Sequence, residues 1–115
     1  MKAEVSLDRT DHGMLMKIRG DVDMSTSPDV RGKIAEAFRQ IDAGSKAVLI
    51  DLSQVRYMDS SGIATLVEAM QNCMKRSLRL RLVDLSPPVR DIFELARLSS
   101  VFEIYASLAE AEAGL

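Results

Sequence analysis

The segment Ala47-Val48-Leu49-Ile50 is a continuous apolar run between Lys46 and Asp51, with an amphipathic helical pattern before it and another after it. A short apolar stretch without alternation, flanked by charge, is the signature of a strand covered on both sides or nearly so. The chain must therefore be built in layers around this strand.

The neighbouring segments supply the layers. Ala3, Val5 and Leu7 alternate with Glu4, Ser6 and Asp8 from Ala3 to Arg9, the period of a strand with one wet face. Asp11-His12-Gly13 reads as a turn, and Met14 to Arg19 alternates again, so these two strands pair as a hairpin. Gly20 to Ser27 is polar and reads as a loop; Ser27-Pro28 then starts a helix, Ser27 as N-cap and Pro28 in the first helical position. Val30, Ile34, Ala37, Phe38 and Ile41 share one helical face, and Gly44 closes the helix. Beyond the central strand at Lys46 to Leu52, a short link reaches Tyr57-Met58-Asp59-Ser60-Ser61-Gly62. A second helix follows, with Ile63, Leu66, Val67, Met70 and Met74 on its inner side. Leu78-Arg79-Leu80-Arg81-Leu82 is a strand with leucines inward and arginines outward. Ser86-Pro87 opens a third helix running to about Leu98, with Val89, Ile92, Phe93 and Ala96 inward. Phe102 to Tyr105 is a last short strand, and Leu108 to Ala113 a terminal helical turn or two.

The order β-β-α-β-α-β-α-β-α, without linker, repeat or low-complexity stretch, predicts an α/β fold in one domain over residues 1–115. Helical crossovers between strands make a mixed, mostly parallel sheet of about five strands, entered by an antiparallel hairpin. Alternation in the first, second and fourth strands keeps part of one sheet face wet, so the helices gather mainly on the other. That pattern argues against a doubly wound dinucleotide fold.

Composition narrows the function. Fifteen basic against seventeen acidic residues, with no basic stripe, argue against a nucleic-acid partner. Cys73 is the single cysteine, so no internal disulfide can form, and its place near the apolar side of a helix makes it a buried, inert thiol. With one histidine and one cysteine, a metal site would need scattered carboxylates such as Asp21, Asp23 and Asp59, whose ordinary reading is turn and helix capping; neither metal nor other cofactor is expected. The apolar runs are far shorter than the roughly 18 residues that cross a bilayer, so no membrane insertion is expected and the chain reads as soluble and cytoplasmic.

Among enzyme classes, serine hydrolysis is the one to test, because Ser60 and Ser61 stand at a strand-to-helix turn. The local sequence is Asp-Ser-Ser-Gly rather than Gly-x-Ser-x-Gly, and the single histidine, His12, falls in the hairpin turn. The six glycines form no Gly-x-x-x-x-Gly-Lys phosphate loop either. A catalytic site is therefore not expected. The plain structural role of the Asp59-Ser60-Ser61-Gly62 turn is that Asp59 or Ser60 caps the second helix. One cap suffices, however, and Gly62 in the first helical turn is costly unless something approaches closely there. A phosphate on Ser61 would add about −1.5 to −2 charges at a helix N-terminus, beside the Asp59 carboxylate, and change that surface abruptly.

These residues resemble the STAS domain, in particular the bacterial anti-sigma factor antagonists, over nearly the whole chain. The resemblance rests on Gly20-Asp21-Val22-Asp23, on Val48-Leu49-Ile50-Asp51-Leu52 leading to Tyr57-Met58-Asp59-Ser60-Ser61-Gly62, and on Phe93-Glu94-Leu95 with Phe102-Glu103-Ile104-Tyr105. It implies a STAS fold with Ser61 as phosphoacceptor for a serine kinase of the GHKL ATPase type that is itself the anti-sigma factor. The unphosphorylated antagonist binds that kinase, the phosphorylated form releases it, and a PP2C-type phosphatase restores binding. By the same resemblance Asp23 belongs to the contact surface. Met24 and Ser25 join it as candidates, with Asp59, Ser60 and Gly62 from the phosphorylation turn, and the free protein is expected as a monomer or weak dimer. After Gly62 this chain has Ile63-Ala64-Thr65 where many such antagonists have Leu-Gly and an aliphatic residue, which points to a different partner kinase. A cytoplasmic STAS subunit of a lipid-transporting ABC system is the competing expectation. The intact Ser61 favours the switch.

Overall fold

The computed structural model describes residues 2–115. Five strands, β1 (Glu4–Thr10), β2 (Gly13–Val22), β3 (Ala47–Met58), β4 (Arg79–Val83) and β5 (Glu103–Tyr105), form one sheet in the order β1-β2-β3-β4-β5. The β1–β2 hairpin is antiparallel and every other pairing is parallel, as the helical crossovers require. The crossover helices are α1 (Ser27–Arg39), α2 (Ser60–Lys75) and α3 (Pro87–Leu95), and a short helix α4 (Leu108–Glu112) follows β5.

The main core lies between α1, α2, α3 and one face of the sheet. Met16, Val48, Ile50 and Leu82 from the strands are fully buried there against Val30, Leu66, Val89 and Phe93 from the helices. Each such side chain contributes roughly 1.5–3 kcal/mol by leaving water. The opposite face carries a smaller cluster of Leu15, Ala47, Leu49 and Val83, covered by Ala111 of α4. The apolar run at Ala47–Ile50 is thus buried on both sides, as its composition requires.

Several local expectations are corrected. β2 and β3 continue through the stretches read as loop and link: Arg19 pairs with Gln54, Gly20 with Val55, Asp21 with Tyr57 and Val22 with Met58. Register shifts between Lys17 and Arg19 and between Gly20 and Asp21 break the two-residue period, so Leu52, Val55 and Met58 are all buried at a spacing no regular strand gives. The cap of α1 is Thr26, one residue earlier than expected, and Ser27 is buried in the first turn. That helix ends at Arg39, well before Gly44. Helix α3 begins at the expected Ser86 cap, but the Ser86 hydroxyl donates across to the Val55 carbonyl instead, and the helix stops at Leu95. In α2 the buried stripe runs through Gly62, Thr65, Leu66, Ala69 and Cys73, leaving Met74 71% exposed; Ala96 is likewise exposed. Arg81 points away from the main core as expected, yet it is buried, because α4 folds over it.

Candidate functional site at the N-terminus of α2

Gly62 determines how α2 meets the sheet. A Cβ at this position would stand 2.5 Å from Met58 Cγ and 2.9 Å from the Val22 carbonyl oxygen, so the glycine lets the first turn of α2 lie directly on the ends of β2 and β3. The Asp59 amide donates to the same Val22 carbonyl at 3.2 Å. The helix start is therefore locked to β2 by backbone contacts.

Asp59 is the N-cap. Its Oδ1 accepts from the Ser61 amide at 2.9 Å, the Gly62 amide at 3.4 Å and the Ser61 hydroxyl at 2.5 Å, satisfying donors a helix start otherwise leaves open. Its Oδ2 accepts from the Met24 amide at 3.2 Å, reaching across to the β2–α1 loop. The Ser61 hydroxyl beside it is the leading reason the carboxyl titrates below the ordinary aspartate range. One carboxylate thus holds the helix cap, the Ser61 hydroxyl and the neighbouring loop.

The loop has an acidic cap of its own. Asp23 Oδ1 accepts from the Ser25 amide at 2.9 Å, the Ser25 hydroxyl at 2.7 Å and the Thr26 amide at 3.1 Å. The Ser25 hydroxyl leads the causes that pull the Asp23 pKa below its usual value. Thr26 Oγ1 accepts from the Asp23 amide and donates to the Asp21 carbonyl, fixing the base of the loop. Met24 stands at its tip, 79% exposed.

The structure brings the expected residues together in two adjoining groups: Asp23, Met24 and Ser25 on the loop, and Asp59, Ser60, Ser61 and Gly62 on the helix start. Ser60 is exposed, Ser61 half-buried and Gly62 buried. Asp59, rather than Ser60, is the cap. Thr26 is absent from the sequence reading, where the Asp-x-x-Thr spacing from Asp23 carried its signal; Val22 and Met58 stand in the motifs, but their packing on Gly62 follows from the sheet register alone. The Asp23 and Asp59 carboxylates are spent on turn and helix amides, the capping role expected of them. His12 is placed far from Ser61: its carbonyl binds the start of β3 through the Lys46 and Ala47 amides, while Ser61 follows the end of that strand. Cys73 is buried, and desolvation pushes its thiol up to about 12. Among the described residues no helix is long and apolar enough to cross a membrane.

The STAS domain pattern matches residues 4–111. The anti-sigma-B factor antagonist of Listeria monocytogenes is 34% identical over 102 residues, spanning 88% of this chain and 85% of that protein. In architecture the chain is similar to an anti-sigma factor antagonist from Mycobacterium paratuberculosis, with a TM-score of 0.81 at 24% identity over 95% of this chain and 90% of the other. It is also similar to the Bacillus cell fate determinant SpoIIAA solved in its phosphorylated form, with a TM-score of 0.67 at 23% identity over 94% of this chain and 96% of that one. The family match runs across the whole sheet and includes the Asp59–Gly62 turn, so this chain belongs to the STAS domain family, among the bacterial anti-sigma factor antagonists.

Proposed function

We propose that the protein is a partner switch controlled at Ser61. With the serine unmodified, the surface made by Asp23, Met24, Ser25, Asp59, Ser60 and Gly62 binds a serine kinase of the GHKL ATPase type that serves as an anti-sigma factor. Phosphorylation of Ser61 releases the kinase, and a PP2C-type phosphatase reverses the change. The observation that carries this reading is the placement of the Ser61 hydroxyl: at a helix start, 2.5 Å from the Asp59 carboxylate and next to the loop that exposes Met24.

The physical logic is electrostatic. A partner packed over the Ser61 hydroxyl meets a neutral group whose proton is already engaged by Asp59. A phosphate there sets a second strong negative charge beside that carboxylate, and burying it against the same partner leaves an uncompensated charge at the contact. The phosphorylated SpoIIAA structure supports the reading by analogy, because that protein has a similar fold.

The test is mass spectrometry of the protein isolated from its own cells, with Ser60 and Ser61 resolved by fragmentation. Phosphate on Ser61 is expected. Its absence across several growth and stress conditions overturns the switch.

A further inference from the structure

We infer that the outer edge of β1 is a docking site for an extended acidic segment of a protein partner, which adds to the sheet as a further strand. Such docking is independent of Ser61 and of its modification.

β1 has a neighbour on one side alone, β2, and among the described residues no backbone hydrogen bond reaches its other side. Alternate residues of an edge strand turn their N–H and C=O groups outward, so Glu4–Thr10 offers a row of free donors and acceptors over seven residues. The opposite edge, β5, has three residues. Of the two edges, only β1 can match a strand of ordinary length, about five residues.

The side chains along this edge define the strand that fits. A cavity of about 340 Å³ is lined by Ala3 to Ser6, by Lys17 and Arg19 of β2, and by Lys33 of α1. All three cations are exposed, and none is in an ion pair among the described residues. Glu4, opposite Arg19 in the register, is the single carboxylate of the lining. The whole chain carries a formal charge of −2, so this excess of positive charge is local. Lys17 is opposite Ser6, whose small side chain leaves the ammonium room to reach past β1. Ala3 and Val5, on the other face of β1, are half-buried and pack on the main core. A strand laid beside β1 therefore meets apolar surface on the helix side and cations on the other, which suits alternating apolar and acidic residues.

Antiparallel pairing sets the first half of β1 beside the second half of β2, and Val22 at the end of β2 is the residue against which Gly62 packs. The docking edge and the Ser61 surface thus share one end of the sheet, within reach of a single partner.

The probe is a capped Glu-Val-Glu-Val-Glu-Val-Glu peptide, titrated into the full chain at low salt and followed by NMR. Amide shifts centred on Ala3 to Ser6, with slower hydrogen exchange there, are expected. Lys17→Glu combined with Arg19→Glu is expected to weaken binding at least about tenfold. Arg39→Glu combined with Lys75→Glu makes the same change of charge on exposed helix positions and is expected to leave binding as it was. Two N-methylated peptides separate strand addition from ionic adhesion. In an extended peptide the valine amides lie along one edge and the glutamate amides along the other, so methylating one set is expected to abolish binding and methylating the other to spare it. Binding of both methylated peptides as tightly as the parent, equal weakening by the two double variants, or no shifts at Ala3 to Ser6 overturns the docking site. Phosphate on Ser61 in cells, present or absent, alters none of these outcomes, so the docking site and the switch fail separately.

Discussion

Gly62 and Val22 are in such close contact that a single methyl group on the glycine would stand 2.9 Å from the Val22 carbonyl oxygen. The backbone there is helical, so the constraint is one of space rather than of φ. Gly62→Ala would also press on the Met58 side chain, which is itself buried. The start of α2 must lift from the sheet, at a cost of about 1–3 kcal/mol for an overpacked site. Urea denaturation is expected to show a lower midpoint with an unchanged slope, and the Ser61 and Met24 amide shifts are expected to move, because the helix start and the loop share Asp59.

A second prediction concerns the far side of the sheet. Arg81 is buried, its Nη1 donates to the carbonyls of Ala111 at 2.8 Å and Ala113 at 3.1 Å, and its guanidinium lies 5.1 Å from the centre of the Tyr105 ring. A cation binding the last carbonyls of a short helix secures that helix to the sheet. Arg81→Met keeps the apolar stem and removes the clamp. The expected result is a loss of about 1.5–3 kcal/mol, the worth of a hydrogen bond to a charged group. Limited proteolysis should then cut within α4 first, with the β1–β4 amides still protected.

How much of this could be read from residues alone depended on whether a segment kept its period. The hairpin, the central run at Ala47–Ile50 and the β4 leucines followed simple alternation or continuity, and the structure has them where the sequence put them. The strand character of Ser53–Tyr57 is not legible in the sequence, because Leu52, Val55 and Met58 face the core through an irregular register that only the pairing with β2 creates. In α2, Ile63, Leu66, Val67 and Met70 pack on the core as their pattern indicates, but Met74 is exposed and Cys73 is buried in its place, because small residues such as Ala69 and Gly62 allow the helix to approach the sheet closely, and hydrophobicity alone undervalues them. At the site, the Asp-Ser-Ser-Gly turn was legible as a helix start. The bond from Met24 to Asp59 was not, since it joins residues that only the β2–β3 register brings together.

Asp23 and Asp59 predict an acid-sensitive site. Hydrogen bonds, led by the Ser25 and Ser61 hydroxyls respectively, hold both carboxyls below the ordinary aspartate pKa. A group whose pKa is lower in the folded protein stabilises it above the unfolded value, about 3.9, and loses that contribution as pH falls through the folded value. The loop and the start of α2 are therefore expected to hold their structure down to about pH 4 and to loosen below it. Carboxyl NMR titration should show both groups titrating below the unfolded reference, with the Ser25, Ser61 and Met24 amides shifting over the same interval. Asp59→Asn should abolish the shift at Ser61 and leave that at Ser25.

Cys73 should be inert. It is buried in α2 and its thiol is pushed up to about 12, so almost no thiolate exists at neutral pH. The folded protein is expected to react with a maleimide at least a hundredfold more slowly than the same protein in denaturant, about the ratio of thiolate populations set by a two-unit or larger pKa rise. Comparable rates in the two states would show that α2 opens readily from the sheet.

The two adjacent serines give the sharpest test of the switch. The Ser61 hydroxyl is engaged by Asp59, while Ser60 is exposed on the outer side of the cap. Ser61→Asp places a permanent charge next to Asp59 and is expected to weaken capture of the proposed kinase partner from an extract of the source cells at least about tenfold, since like charges at a contact are costly. Ser61→Ala removes the acceptor but adds no charge, so it is expected to capture the kinase and to go on holding it when ATP is added. Ser60→Ala should change both results less. Equal loss of capture in the two alanine variants would mean that the pair acts as one contact surface, and would take the assignment of control away from Ser61.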